Sequence, residues 1–123
     1  MLEMVKSEDT LSVDCVFCKI GSGDIPVTPV YESDHFIAFH DIKPAAPVHV
    51  IVIPKLHYSH LLAISDKQLL GEALLTVQEV ARITGIDKSG FRTVMNTLDD
   101  GGQTVYHFHI HVLGGRFLSW PPG

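Results

Sequence analysis

Three histidines stand at alternate positions near the end of the chain, in the stretch YHFHIHVLGG. They are His107, His109 and His111, and the residues between them are apolar. Because the side chains of a strand alternate between its two faces, we expect the three imidazoles on one face, with successive Cα atoms about 7 Å apart. Imidazole can bind metal, act as a nucleophile or base near neutral pH, or simply be solvated. The spacing alone leaves these three interpretations open.

The segment before the histidines favours phosphate chemistry. Residues 99–104 read DDGGQT, and a glycine pair lets the backbone approach a ligand closely and turn its N–H groups toward it. Gln103 and Thr104 add an amide and a hydroxyl donor, which suit phosphoryl oxygens without any Lys or Arg. A glycine pair alone more often marks a plain turn. Together with the histidines, this loop favours a catalytic or phosphate-binding face.

Composition and charge bound the function classes. The chain has 123 residues, 46% apolar and 19% charged, which is the balance of an ordinary globular domain. A net charge of −5 without clustered Lys or Arg argues against nucleic-acid binding, which depends on phosphate neutralisation. No apolar run approaches the ~18 residues of a membrane span, and the N-terminal stretch is mixed and charged. We therefore expect a cytoplasmic protein with no membrane partner, a flexible tail over residues 1–13 and a single domain over 14–123.

The apolar pattern predicts a small set of elements. Ser65 is a candidate N-cap with Gln68 three residues later, and Gly85 is a candidate helix stop. Apolar residues at helical spacing lie between them. The pattern also predicts strands at residues 27–33, 36–41, 48–54, 90–96 and 105–115, with a short helical turn after Cys15. Hairpin-length connections favour an α+β fold: a mostly antiparallel five-stranded sheet with one long and one short helix.

Cys15 and Cys18 form a C-x-x-C pair with three possible interpretations. A redox pair usually opens a helix in a βαβ setting, which the sequence does not show. Half of a structural zinc site is the favoured interpretation, and a zinc site needs four ligands. His57 and His107 are the candidates for the other two. Ordinary free thiols in a reducing compartment are the remaining alternative.

Three blocks of the sequence resemble a known family. The stretch QTVYHFHIHVLGG resembles the signature of the histidine triad (HIT) family, and HDIKPAAPVHVIVIPKLH is similar to the family's second conserved block. The C-terminal WPPG resembles the end of the family's Hint branch. The similarity runs over nearly the whole chain from Cys15 onward. It implies a HIT-like fold, with the sheet extended across a homodimer.

The resemblance implies roles for the polar residues. His109 matches the family's nucleophile, which forms a nucleotidyl-histidine intermediate, and His111 matches the histidine that contacts phosphate. His49 matches a fourth histidine that supports the nucleophile's ring, and Thr104 matches a hydroxyl position near the leaving group. Cys15 and Cys18, with His57 and His107, match the structural zinc ligands of bacterial-type members. The implied activity is hydrolysis of purine nucleoside phosphoramidates, with AMP-type or GMP-type nucleotides as substrate.

The resemblance also implies a nucleotide pocket. Asp41 matches the acid that binds the ribose hydroxyls, and Asn96 matches an amide of the phosphate loop. The resemblance further implies walls around the purine and additional nucleotide contacts; for the apolar walls, packing in the core is the alternative. The walls are Val16, Phe17, Phe39, His40 and Ile42, and the contacts are Gly102, Gln103, Thr104, Val105, His109, His111 and Trp120.

Two departures and two competing functions remain. Leu98 stands where relatives often have glycine, which bears on the loop's shape. The third triad position is His111 rather than the glutamine of the transferase branch, which favours hydrolysis over transfer. The alternatives are a dinucleoside polyphosphate hydrolase and a nucleotide-binding interaction module. The WPPG end favours a phosphoramidase, because the C-terminus of Hint relatives reaches the partner's active site and restricts bulky leaving groups.

Overall fold

Residues 15–123 are described by the structure, a computed structural model, and they form two α-helices, a short 3-10 turn and a five-stranded sheet. The strands are β1 (Tyr31–Glu32), β2 (Phe36–His40), β3 (Val48–Pro54), β4 (Phe91–Val94) and β5 (Ile110–Gly114). Their order is β1-β2-β3-β5-β4, and every neighbouring pair is antiparallel. The predicted α+β fold is confirmed. The predicted boundary after residue 13 lies outside the described residues.

The short helix α1 (Val16–Ser22) follows the first cysteine, as predicted. The Cys15 Sγ accepts a hydrogen bond from the Cys18 N–H at 3.3 Å and so caps the first turn. Gly23 ends the helix with φ 90°, a left-handed conformation that glycine adopts without steric penalty. The buried Phe17 and Ile20 pack on the sheet in a cluster that contains Phe39.

The long helix α2 (Lys67–Thr84) begins one residue later than predicted. Its N-cap is Asp66, whose carboxylate accepts from the N–H groups of Gln68 and Leu69, so the predicted Ser65 cap is wrong. The aspartate satisfies two free donors and places negative charge at the positive end of the helix. Gly85 ends the helix with φ 79°, as predicted. No helix in the described part of the chain has the length and apolar content that crossing a membrane requires.

The two faces of the sheet carry different chemistry. Val50, Val52 and Val112 have no exposed surface and pack in the core under α2. Because side chains alternate along a strand, His49 of β3 and His111 of β5 face the opposite side. We call this side, on which α1 packs, the histidine face.

Four of the five strands are shorter than the sequence predicts, and the first and the last differ most. The first one reduces to Tyr31–Glu32, because Pro29 has no N–H to donate to a ladder. The last one begins at Ile110 rather than at residue 105. Just before it, the N–H of Phe108 donates to the carbonyl of Tyr58 instead of to a ladder partner. His107 and His109 therefore lie ahead of β5, in an irregular segment that still turns their rings toward α1.

Candidate active site

The protonation of His109 is determined by one backbone contact. Its Nδ1 lies 2.7 Å from the carbonyl oxygen of His107. A carbonyl only accepts, so Nδ1 must carry the proton, and Nε2 keeps a free lone pair. The ring is only 7% exposed, and burial lowers the pKa of His109, opposed by that carbonyl and by the charge of Asp41. The ring is therefore neutral at pH 7 and presents an unprotonated nitrogen.

A relay of hydrogen bonds orients His111. The N–H of Ala45 donates to His49 Nδ1 at 2.9 Å, which leaves the proton of His49 on Nε2. That Nε2 lies 2.9 Å from His111 Nδ1 and 3.5 Å from the Asp41 carboxylate. His111 Nδ1 must then accept, so its Nε2 carries a proton and can donate to a ligand. Burial, followed by the neighbouring rings of His109 and His49, lowers the pKa of His111 to about 4.

The partner of His49 differs from the one that the resemblance implies. Its hydrogen bond goes to His111 and not to the His109 ring, whose Nδ1 is held by the His107 carbonyl. The register of the strands explains this. His49 stands opposite Leu113 of β5, and His111 is the neighbouring residue of β5 on the same face. The structure therefore assigns the support of His109 to a backbone group, which residue type alone does not indicate.

The glycine-rich loop is held together by Gln103. Its side-chain Nε2 donates to the carbonyls of Ser59 and Val105 at 2.8 and 3.1 Å, and its Oε1 accepts from the Leu98 N–H at 2.9 Å. The predicted amide donor to phosphate is therefore engaged inside the protein, and the prediction for this side chain is wrong. Thr104, the next residue, is exposed and keeps its hydroxyl at the surface.

The backbone of this loop is tightly packed at Gly101 and adopts a left-handed conformation at two other residues, Gly102 and Leu98. A Cβ on Gly101 would lie 2.5 Å from the carbonyl oxygen of Thr97, so only glycine fits there. Gly102 adopts φ 76°. Leu98 adopts φ 62°, a left-handed conformation that costs a residue with a Cβ about 1 kcal/mol. The loop thus keeps a glycine-type shape in spite of the leucine.

The structure brings two of the five predicted purine walls, Phe17 and Phe39, together on the histidine face. Phe17 contacts the His109 ring edge-on, with centroids 5.1 Å apart, and Phe39 at 5.9 Å. Val105 packs against the same cluster. Val16 and Ile42, the latter just beyond β2, are exposed.

His40 is not brought to this pocket. Phe39 and His40 are neighbours in β2, so their side chains lie on opposite faces. His40 lines an open groove with Val48 and Ile83 on the α2 side, and the prediction that it forms a purine wall is wrong. The alternation of strand residues is the signal that could have excluded it.

Three other predicted contacts, Asp41, Asn96 and Trp120, lie in different surroundings. Asp41 lies against His49, and its Oδ1 also accepts from the Lys43 N–H at 2.8 Å. Asn96 lies two residues beyond β4 and is half-buried. Trp120 is 79% exposed, with the Arg92 guanidinium 6.0 Å from its ring centre. Ala45, Ser59 and Arg92, which hold parts of this site, gave no signal in the sequence.

A second cluster, of two cysteines and two histidines, shares His107 with the three alternate histidines. The Sγ atoms of Cys15 and Cys18 and the Nδ1 atoms of His57 and His107 are within 4.8 Å of one another. His107 Nε2 donates to the carbonyl of Pro54 at 2.8 Å, so Nδ1 is free to bind a metal. Burial lowers the pKa of His107 to about 4. Burial also lowers the pKa of His57. Two thiols and two neutral imidazoles at this spacing fit a tetrahedral zinc ion.

The fold and the site together define the class of protein. A five-stranded antiparallel sheet presents a neutral, lone-pair-bearing histidine between a second histidine and a Cys/His cluster. The sequence matches the HIT domain over residues 22–118, and the chain belongs to the HIT family.

Relatives agree with this assignment. An uncharacterised HIT-like protein of Synechococcus elongatus is 53% identical, over 92% of this chain and all of its own. The 14 kDa zinc-binding protein of Brassica juncea is 45% identical, over 89% of this chain and all of its own. The crystal structure of a HIT family hydrolase from Legionella pneumophila is similar with a TM-score of 0.85, at 44% identity, over 89% of this chain and all of that one.

Proposed function

We propose that the protein is a hydrolase of purine nucleoside phosphoramidates that acts through a covalent nucleotidyl-histidine intermediate. The observation that carries the proposal is the 2.7 Å contact between His109 Nδ1 and the His107 carbonyl. It keeps Nε2 unprotonated on a buried ring, which is the state that a nucleophile requires. The solved Legionella relative, described as a HIT family hydrolase, supports the same class of reaction.

In the first step, His109 Nε2 attacks the α-phosphorus and the P–N bond breaks. The amine leaves with its electron pair and takes a proton from solvent through the Thr104 hydroxyl, the proposed partner of the leaving group on an exposed residue. In the second step, water attacks the same phosphorus and gives a proton back to solvent through that hydroxyl, and the bond to Nε2 breaks. Nucleoside monophosphate is released and His109 returns to its neutral form.

Charge that develops on the phosphoryl oxygens is met by neutral donors. His111 is held with its Nε2–H available, because its Nδ1 accepts from His49. The Nε2–H of the neutral His111 ring is already in position, so it does not have to reorganise as charge develops during the reaction. The loop N–H groups near Gly102 are the proposed further donors.

The nucleoside is proposed to lie against Phe17, Phe39 and Ile42, with its ribose hydroxyls donating to Asp41. Phe17 is the central element because it contacts His109 as well as Phe39. An apolar wall with one carboxylate binds purine nucleosides through stacking, burial and two hydrogen bonds. This arrangement does not distinguish adenosine from guanosine.

We further propose a structural zinc ion held by Cys15, Cys18, His57 and His107, and the zinc-binding relative from Brassica supports it. Bound there, the ion would stabilise the fold and hold the start of α1 against His107, while the catalytic step uses His109. The two cysteines form no disulfide with each other within the described residues, and we propose a reducing compartment such as the cytoplasm.

The protein is also proposed to be a homodimer with a sheet continued across the two copies. Sedimentation at micromolar concentration should give about twice the 13.6 kDa of the chain. A mass near one chain would contradict the dimer.

The deciding experiment compares three ligands at equal concentration: adenosine 5′-phosphoramidate, a diadenosine polyphosphate and AMP. We expect turnover of the phosphoramidate at least about a hundredfold above that of the diadenosine compound, with AMP acting as a product inhibitor. Mass spectrometry after rapid quench should show the added mass of one nucleotidyl group on a peptide that contains His109. Faster cleavage of the diadenosine compound would favour the polyphosphate hydrolase. Binding of AMP without turnover of either substrate would favour the interaction module.

A further inference from the structure

Two groups of side chains within residues 15–123 meet the distance requirement of a metal site. One is the Cys/His cluster around His107. The other, which we call the acid–histidine trio, consists of Asp41, His49 and His111, with one ligand atom of each within 4.8 Å of the others. His49 Nε2 lies 2.9 Å from His111 Nδ1 and 3.5 Å from an Asp41 oxygen. Neighbouring ligands of a tetrahedral zinc ion are about 3.3 Å apart, so distances alone do not separate the two groups.

The positions of the ring protons do separate them. In the Cys/His cluster, His107 Nε2 donates to the carbonyl of Pro54, which leaves the lone pair on Nδ1, the atom that faces both thiols. In the trio, the N–H of Ala45 donates to His49 Nδ1, which leaves the proton on Nε2, the atom that faces the other two members. A metal binds only a ring nitrogen with a free lone pair. A backbone carbonyl therefore prepares one group for metal, and a backbone N–H blocks the other.

The Ala45 N–H is held in this position by the loop that carries it. Arg116 Nη2 donates to the Ala45 carbonyl at 2.9 Å, so residue 45 is bound on both of its backbone groups. Gly115, with φ 92°, approaches the same loop so closely that a Cβ there would lie 2.8 Å from the Cβ of Pro47. The turn after β5 thus packs against the loop between β2 and β3 and keeps the N–H directed at His49.

We propose that the backbone N–H of Ala45 excludes transition-metal ions from the acid–histidine trio and so directs zinc to the Cys/His cluster. To bind zinc through Nε2, the neutral His49 ring would have to move its proton to Nδ1. That proton would then face the Ala45 N–H, so one hydrogen bond would be lost and two donors would oppose each other. The inference goes beyond the proposed hydrolysis and does not require it, because it concerns metal binding and ring protonation without substrate.

Zinc binding at equilibrium is the first measurement. Protein that holds its first equivalent of zinc is dialysed against increasing zinc chloride, and bound zinc is measured by elemental analysis. Ala45→Pro removes the N–H, so its second zinc should bind at least about tenfold more tightly than a second zinc binds the unmodified protein. Tenfold corresponds to one lost hydrogen bond of about 1.4 kcal/mol. Adding His111→Asn to Ala45→Pro should abolish the gain, which assigns the second zinc to the trio.

Three further variants separate the N–H from the shape of the loop. If Ala45→Pro does not fold, an ester analogue with L-lactic acid at position 45 removes the same N–H and keeps the methyl side chain. Arg116→Ala loosens the loop but keeps the N–H, so it should strengthen the second site by less than the loss of the N–H does. Arg82→Ala is the matched control, since it removes an exposed arginine that pairs with Glu79 on α2, and it should leave zinc binding unchanged.

Nitrogen-15 NMR of the histidine rings observes the protons directly, because the two ring nitrogens are distinct. In the unmodified protein with one zinc, His49 should carry its proton on Nε2 and have a bare Nδ1. In Ala45→Pro with the second zinc bound, the proton should be on Nδ1 and Nε2 should be bound to the metal.

The outcomes separate this inference from the other proposals. It is overturned if a second zinc binds the trio of the unmodified protein as tightly as that of Ala45→Pro, or if His49 in the unmodified protein carries its proton on Nδ1. An effect of Arg116→Ala as large as that of losing the N–H also overturns it. If no zinc binds the Cys/His cluster, the structural zinc fails, and shifts of the His49 and His111 rings during the same titration still decide on the trio. Failure to cleave a phosphoramidate removes the proposed function alone.

Discussion

His49 and His111 face each other across strands β3 and β5, with His49 Nε2 2.9 Å from His111 Nδ1. Because the Ala45 N–H occupies the other nitrogen of His49, the proton between the two rings belongs to His49. A backbone amide of a proline-rich loop thus determines which nitrogen of His111 can donate to a ligand. The proposed chemistry depends on this relay as much as on the histidines themselves.

The relay of hydrogen bonds predicts that two substitutions of His49 lower the turnover rate to different extents. His49→Leu should lower kcat by about tenfold, the loss expected when one orienting hydrogen bond of roughly 1.4 kcal/mol disappears. His49→Gln can accept from Ala45 and donate to His111, so it should recover a large part of the rate. The measurement is steady-state turnover of adenosine 5′-phosphoramidate, and equal rates for the two variants would contradict the relay.

His109→Ala should abolish turnover and leave AMP binding within about tenfold of the unmodified protein. The covalent step supplies many kcal/mol of barrier lowering, whereas a single pocket contact supplies about 1–2 kcal/mol. Steady-state turnover of adenosine 5′-phosphoramidate tests the loss of activity, and calorimetry tests the binding of AMP. His35→Ala is the matched control, since His35 is an exposed histidine paired with Glu72. Activity above a few per cent in the His109 variant would remove His109 as the nucleophile.

Stability should depend on pH through His111. Its folded pKa is about 4 against an ordinary value of 6.5, mainly because of burial. Between these pH values the unfolded chain binds a proton that the folded chain does not, so this residue makes the free energy of unfolding fall as pH falls from 6.5 toward 4.

The variant His111→Asn removes that component and keeps an acceptor for His49. Its free energy of unfolding should therefore decline less steeply between pH 6.5 and 4 than that of the unmodified protein, by less than about 1.4 kcal/mol per pH unit. Urea unfolding at a series of pH values provides the comparison, and groups common to both proteins largely cancel. Parallel pH profiles would show that His111 titrates normally.

Removal of zinc should separate stability from chemistry. Elemental analysis should find one zinc per chain, and Cys15→Ser should lower the melting temperature by many degrees, because a structural site supplies on the order of 10 kcal/mol. Serine keeps an oxygen that can cap α1, so the loss reports the metal ligand rather than the cap. Turnover per folded molecule should change little. Zinc-dependent activity that vanishes before unfolding begins would instead indicate a catalytic ion.

Local patterns were sufficient for the number and kind of the main elements and for the identity of the chemical groups. Alternation in the last segment separates the histidines from the apolar residues between them, and Phe108, Ile110 and Val112 do lie in the core under α2. Gly85 predicted the helix end. These features depend on steric and burial rules that act over a few residues. The same alternation, applied to Phe39 and His40, would also have excluded His40 from the pocket.

Contacts between side chains and backbone groups, some near in the sequence and some distant, decided which ring nitrogens carry protons. Which nitrogen of His109 is bare depends on the His107 carbonyl, and the state of His111 depends on Ala45, 66 positions earlier in the sequence. Likewise, the Gln103 side chain holds the loop together because backbone groups of Ser59 and Leu98 come within hydrogen-bond distance of its amide. Backbone donors and acceptors are the same at every residue except proline, so a sequence cannot show which of them will meet a side chain. Only the packed sheet brings them together.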